Sequence, residues 1–214
     1  MKRAVFIGEG TSDTPLGQIV ASLFDRLGVQ VDVITPDFVR LPRVAKDVGA
    51  RIRASLKLTD NPIDVFIIHR DADSRDCSSR RAEIARALKQ IPEAQVHVPV
   101  VPIQATESWL LLDERQIRVV AGNPRGRMPL GLPDSSHVES RTEPKRILAQ
   151  ALLLASDSTG RRKDRVSKRF SEHRRTLLSR LDLDGPITQL SSFQRLLRDV
   201  EAAATEMARG VERQ

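Results

Sequence analysis

The stretch DVFIIHRDADSRD, residues 64–76, decides the fold class of this chain. Its four consecutive apolar residues, Val65 to Ile68, are typical of a strand that is buried on both faces. Two carboxylates, Asp71 and Asp73, follow this strand, and residues i and i+2 of an extended segment face the same side, about 6.6 Å apart. The stretch therefore predicts a buried strand that ends by presenting a pair of acids.

Strand-like and helix-like patterns alternate on either side of this stretch. The apolar run AVFI (4–7) predicts another buried strand, and apolar residues at helical spacing follow it from Leu16 to Leu27, with Pro15 suited to a first helical position. Further strands are predicted at 29–34 and 96–103, and further helices from near Pro42 and over 79–91. Two prolines, Pro99 and Pro102, confine the last strand to a sheet edge or to a bulged path. This alternation predicts an α/β fold of the Rossmann-like kind, a mostly parallel sheet with helices on both faces.

The second half of the chain has a different pattern. Residues 121–136 are rich in Gly and Pro and predict a loop. Helical patterns follow over 147–155 and roughly 163–181, and a last helix carries an apolar stripe from Phe193 to Met207. We therefore expect a Rossmann-like α/β domain over residues 1–113 and a helical C-terminal region over 114–214 packed on it.

The charge of the chain is concentrated in one segment. Residues 161–180 hold nine Lys or Arg against two acids, and nine minus two equals the +7 of the whole chain. A local basic stripe attracts polyanions, although a charge run is also commonly a solvated helix face. The single cysteine, Cys77, suits a reducing cytoplasm, and no stretch approaches the roughly 20 apolar residues of a membrane span.

Four acids are predicted at strand ends. Glu9 follows the first strand, Asp71 and Asp73 follow the third, and Glu107 follows the fourth. Ligands of parallel sheets bind outside the carboxyl ends of the strands, and crowded carboxylates with water in the remaining positions suit Mg²⁺ or Mn²⁺. We therefore expect all four acids to act as metal ligands and catalytic groups.

Some acids have structural alternatives. Asp13 precedes Thr14-Pro15 and is favoured as a helix cap, and Asp113 opens a capping-box pattern with Gln116. Glu107 could instead be a first-turn helix acid favoured by the helix dipole.

The motifs VFIGEGTSD and FIIHRDAD together resemble those of the Toprim domain, in which a Glu follows the first strand and a DxD pair follows a later one. ATESWLLLD resembles the signature of a bacterial Toprim-like group of unknown function that is related to RloB and to the nuclease domain of OLD proteins, and EPKRIL and SSFQRLLRDV extend the resemblance over most of the chain. The resemblance implies a magnesium-dependent phosphodiester site, with Glu9 as general base or metal ligand and Asp71 and Asp73 as metal ligands.

Composition narrows the Toprim chemistries. The absence of Tyr excludes the tyrosine transesterification of topoisomerases, and one Cys excludes the zinc module of bacterial primases and recombination mediators. Among the remaining Toprim chemistries, the resemblance implies a metal-dependent nuclease acting on DNA or RNA, with a role in phage defence. Lys145, Lys168 and Arg169 are candidate nucleic-acid contacts.

The sequence has two other interpretations. A catalytically silent Toprim-like sensor, or a subunit that works with a partner ATPase, remains open, as does assembly into a homo-oligomer. A phosphohydrolase of the haloacid dehalogenase type is disfavoured, because its nucleophilic DxD follows the first strand.

Overall fold

The sheet has four parallel strands. The computed structural model describes residues 1–41, 43–59, 61–94 and 96–211. Its strands, β1 (Lys2–Ile7), β2 (Val31–Ile34), β3 (Val65–His69) and β4 (His97–Val100), are ordered β2-β1-β3-β4. Pairing places Ala4 beside Val33 and Val65, and Ile67 beside Val98. The central strands β1 and β3 carry the all-apolar runs, because both of their faces are covered.

Helices α1 (Pro15–Arg26), α2 (Val48–Leu58) and α3 (Ser78–Leu88) connect the strands. The chain moves one way from β1 to β2 and the other way from β2 to β3 and β4. Right-handed crossovers therefore place α1 on one face and α2 with α3 on the opposite face, and α2 and α3 contact each other. The α/β fold predicted from the sequence is confirmed.

Two compact units share the chain. The first contains residues 1–70 and 78–101 together with the chain from Arg195 onward, and the second contains residues 71–77 and 102–194. The boundary expected at residue 113 thus falls inside the second unit. Both units have an apolar core: the first is filled by side chains such as Phe6, Phe24, Ile52 and Phe66, and the second by side chains such as Trp109, Leu111, Ile117 and Phe193.

The second unit is helical. Its helices are α4 (Glu107–Leu110), α5 (Glu114–Val120), α6 (Pro144–Ser156), α7 (Gly160–Lys168) and α8 (Phe170–Ser179), and α9 (Ser191–Val211) begins in it. No helix or strand occupies residues 121–136, which form a loop as predicted. Trp109 is buried, packs edge-on against Phe193 with ring centroids 5.5 Å apart, and donates a hydrogen bond to Ser192 at 2.8 Å.

Several boundaries differ from the predictions. The helix expected over 163–181 is two helices that meet at Arg169, and the strand expected over 96–103 ends at Val100. Helix α2 starts at Val48, whereas the predicted start near Pro42 lies outside the described residues. Among the described residues, no helix has the length and apolar character needed to cross a membrane.

Candidate functional site

The sheet order reverses between β1 and β3, which is the position where parallel sheets bind ligands at the carboxyl ends of their strands. In the first unit, four ionisable residues follow or end these two strands: Glu9, Asp13, His69 and Arg70. We call these four residues the switch-point cluster. Three of them carry no site role in the sequence analysis, where only Glu9 was expected to be functional.

The carboxylate of Glu9 lies close to the positively charged side chain of Arg70. Its Oε1 is 3.4 Å from Nε of Arg70, and Nη2 of Arg70 is 3.4 Å from Oε1 of Glu83. The Arg51 guanidinium donates to the carbonyl oxygen of Gly8 and, at 3.5 Å, to that of Glu9. Two arginines therefore hold the turn after β1 and supply positive charge beside its carboxylate. Arg70 stands between the β3 strand and the DxD pair, and that position is the signal that could have identified it.

Asp13 organises the same turn from inside. Its side chain is buried, and Oδ2 accepts a hydrogen bond from the backbone N–H of Gly10 at 2.8 Å. Nδ1 of the buried His69 is 3.6 Å from that oxygen. The interpretation of Asp13 as the cap of α1 is wrong, because the cap residue of α1 is Thr14 and has no side-chain cap hydrogen bond. A Cβ on Gly8 would lie 2.8 Å from the Phe6 ring and 3.2 Å from Cβ of Asp13, which explains the glycine there.

The DxD pair belongs to the second unit, where each residue has a distinct environment. Oδ1 of Asp71 accepts hydrogen bonds from the backbone N–H of Thr106 at 2.8 Å and from its hydroxyl at 2.9 Å. Asp73 is exposed and left-handed, with φ of 53°. Its N–H donates to the carbonyl of Gln104 at 2.9 Å, and the N–H of Gln104, itself left-handed with φ of 62°, donates to Ser74 at 2.9 Å. The backbone therefore holds Asp73 in a conformation that few non-glycine residues adopt.

Glu107 forms a buried ion pair. Its Oε1 accepts a hydrogen bond from Nε of Arg174 at 2.8 Å, and the two side chains are only 4% and 7% exposed. The pair joins the first turn of α4 to α8, so the first-turn position expected as the alternative for Glu107 is confirmed. Asp113 accepts a hydrogen bond from the N–H of Gln116 at 2.9 Å, and its predicted capping role is likewise confirmed.

The four expected metal ligands match a divalent cation in the chemistry of their donor atoms. Their carboxylate oxygens are the ligands that Mg²⁺ and Mn²⁺ prefer. Within the described ranges, however, no group of three or more His, Cys, Asp or Glu residues is arranged to hold a metal ion. Glu9 and Glu107 each contact an arginine, and Asp71 accepts hydrogen bonds from Thr106. The fit is therefore one of donor chemistry alone.

Helix α7 is the most cationic surface of the second unit. It has no buried residue, and five Lys or Arg side chains project from it, none of which forms an ion pair within the part of the chain that the structure describes: Arg161, Arg162, Lys163, Arg165 and Lys168. At about 100° per residue, Arg161, Arg165 and Lys168 share one face of the helix with a single acid, Asp164, whereas Lys163 lies on the other side. We call those three residues the cationic face.

The three nucleic-acid candidates from the sequence differ in environment. Lys168 belongs to the cationic face, and Lys145 is exposed in the first turn of α6. Arg169 instead makes a two-pronged contact with Glu172, with Nε–Oε2 at 2.7 Å and Nη2–Oε1 at 2.5 Å. This hydrogen bonding raises the pKa of Arg169 and lowers the pKa of Glu172. The charge of Arg169 is thus already partly compensated, and Arg161 and Arg165 are better placed to meet a polyanion.

Comparisons with protein-family models, with curated proteins and with solved structures found no match for this chain.

Proposed function

We propose that the chain is a metal-dependent phosphodiesterase that cleaves DNA or RNA, acting in the cytoplasm in phage defence with Mg²⁺ or Mn²⁺. The observation that carries the proposal is the conformation of Asp73, an exposed acid that its neighbours hold in the left-handed region. Strained conformations of this kind cluster at functional sites, because surrounding structure must maintain them. The Toprim-like motifs around Glu9 and Asp73 support the same proposal from the sequence.

The residues divide the work as follows in this proposal. Asp71 and Asp73 would hold the cation, which when bound neutralises phosphate charge and lowers the pKa of a water. The resemblance gives Glu9, on the exposed turn after β1 in the first unit, the role of general base or metal ligand. The buried pairing of Glu107 with Arg174 favours a structural role for Glu107. The cationic face would bind the nucleic-acid backbone through charge neutralisation.

A cleavage assay with a matched pair of variants tests the proposal. Purified full chain is incubated with plasmid, single-stranded DNA and RNA, with Mg²⁺ or Mn²⁺ and then with chelator. Asp73→Asn removes one charge and keeps a residue type that tolerates the left-handed region, so the fold should survive. Asp76→Asn removes the same charge from the same exposed loop. We expect chelator and Asp73→Asn to abolish cleavage and Asp76→Asn to retain it; equal activity of the two variants would contradict the assignment.

A second candidate is a catalytically silent nucleic-acid-binding module, acting as a sensor or as the partner of an ATPase. The observation that favours it is the guanidinium beside two of the four expected metal ligands, Arg70 at Glu9 and Arg174 at Glu107. Such pairs compensate carboxylate charge without a metal ion. Steeply salt-dependent binding, with no cleavage of any substrate even after a candidate ATPase is added, would favour this module over the enzyme.

A further inference from the structure

A pocket of about 290 Å³ opens in the second unit, between the end of α6, α7 and the loop that carries Met128. Its apolar lining comes from Met128, Leu153 and Leu154. Its volume lies at the lower limit of small-molecule sites, roughly 300–1,000 Å³, so it suits one compact ring system better than a large cofactor. Neither the sequence motifs nor the proposed phosphodiester site uses this pocket.

A buried arginine holds the backbone of the loop that carries Met128. The guanidinium of Arg118, which is buried, donates to the carbonyl oxygen of Met128 at 2.8 Å and pairs with Glu114. Met128 is nevertheless 46% exposed, which makes it one of the few large apolar side chains left open to solvent. A positioned backbone with an open, flexible thioether side chain is suited to covering the flat face of an aromatic ring.

The rest of the lining is polar and includes one acidic and one basic side chain. Gln150, Asp157 and Ser158 supply an amide, a carboxylate and a hydroxyl, and Lys163 supplies an ammonium group. Asp157 ends α6 in a left-handed conformation with φ of 46°. Hydrogen-bonding groups of both kinds suit the edge of a nucleobase, which carries donors and acceptors, and the ammonium group suits a phosphate.

Lys163 is set apart from the other cations of its helix. It lies about 160° around α7 from Arg165, on the side away from the cationic face. It forms no ion pair with any residue that the structure describes. An anion at Lys163 would therefore be held together with the pocket and not with a strand that runs along the cationic face.

We propose that this pocket binds a nucleotide, with the base between Met128 and the two leucines and the phosphate at Lys163. The occupant is either a free nucleoside monophosphate or the phosphorylated end of a strand, since both present the same base and phosphate. The proposal does not depend on cleavage or on a metal ion. It rests on the proposed function only in choosing a nucleotide among amphipathic anions.

Calorimetric titration with the four 5′-nucleoside monophosphates, at low salt and with chelator, tests the pocket. Lys163→Ala and Arg165→Ala remove the same charge from the same exposed helix, but only Lys163 lines the pocket. We expect saturable binding of at least one nucleotide, weakened about tenfold by Lys163→Ala and less than about twofold by Arg165→Ala. Met128→Ser should weaken binding of the nucleotide and of the corresponding nucleoside, and it should lower the melting temperature by no more than about 4 °C because Met128 is only about half buried. Absence of saturable binding, or equal losses in the two charge variants, would overturn the proposal.

Oligonucleotides distinguish the two sources of the ligand and separate this proposal from the previous one. If the strand end is the occupant, a 5′-phosphorylated oligonucleotide binds more tightly than the unphosphorylated one, and Lys163→Ala removes the difference. If the free nucleotide is the occupant, the two oligonucleotides bind alike while the monophosphate still binds. Strand binding that depends on Arg161, Arg165 and Lys168 without any nucleotide binding would defeat the pocket alone. Nucleotide binding without strand binding would defeat the nucleic-acid function alone.

Discussion

The Glu107–Arg174 pair gives opposite predictions for a metal ligand and for a structural acid. The two side chains are 4% and 7% exposed and meet at 2.8 Å, so Glu107→Ala removes the carboxylate to which Nε of the buried Arg174 donates. Breaking a buried pair in this way costs about 3–5 kcal/mol. One kcal/mol shifts the melting temperature of a chain of this size by about 2–4 °C, so we expect a loss of about 6–20 °C. If Glu107 served only as a metal ligand, Glu107→Ala would leave the stability of the metal-free protein unchanged or would raise it.

Thermal and urea unfolding, monitored by circular dichroism with chelator present, measure this effect. Glu172→Ala is the matched control, because Glu172 pairs with Arg169 in the same unit but both side chains are more than half exposed, and we expect its midpoint to match the wild type. Replacing both members of the pair, as in Glu107→Leu with Arg174→Met, should recover part of the lost stability, since neither charge of the pair remains buried. A Glu107→Ala midpoint equal to that of Glu172→Ala would refute the structural role.

Three further measurements test other parts of the molecule. Arg81 holds Asp199 of α9 through two hydrogen bonds of 2.7 and 2.8 Å, so a double-mutant cycle by urea unfolding should give a coupling of about 0.5–1 kcal/mol; no coupling would mean that the contact is not maintained. Gly8→Ala should destabilise the chain by about 1–3 kcal/mol, because its Cβ would meet the buried Phe6 ring, and an unchanged midpoint would contradict that packing. Burial lowers the pKa of His173, helped by the nearby charge of Arg169, so the unfolded state binds the proton more tightly than the folded state does. The contribution of neutral His173 to stability should be fully present above about pH 6.5 and should be lost as the pH drops below that value. His173→Gln should therefore make the melting temperature less dependent on pH between pH 7.5 and 5. An equal pH dependence in wild type and variant would exclude His173 as the cause.

The sequence predicted local features more reliably than pairings. The apolar runs of β1 and β3, the Gly- and Pro-rich loop and the Asp113 cap each depend on neighbouring residues, and each was found where expected. The contact between Arg70 and Glu9 and the contact between Arg174 and Glu107 join residues 61 and 67 positions apart, and one sequence carries no signal for them. The break between α7 and α8 also escaped detection, because Arg169 is neither Gly nor Pro. The only hint is that apolar residues at helical spacing begin near Phe170.

The charged side chains of the second unit allow binding of a polyanion to be tested apart from cleavage. Of the nine cations over residues 161–180, Arg174 is neutralised by Glu107 and Arg169 is paired with Glu172, so the formal excess of this segment overstates what a polyanion meets. The cationic face retains three side chains directed to one side. On duplex DNA without 5′-phosphates, three neutralised phosphates predict that log K falls with log salt concentration with a slope of about −2.7. Arg165→Ala should reduce that slope by about 0.9, while Lys163→Ala leaves it nearly unchanged. A slope that responds equally to both variants would mean that α7 acts as a diffuse charge without a face, and would remove the reason for separating Lys163 from the strand.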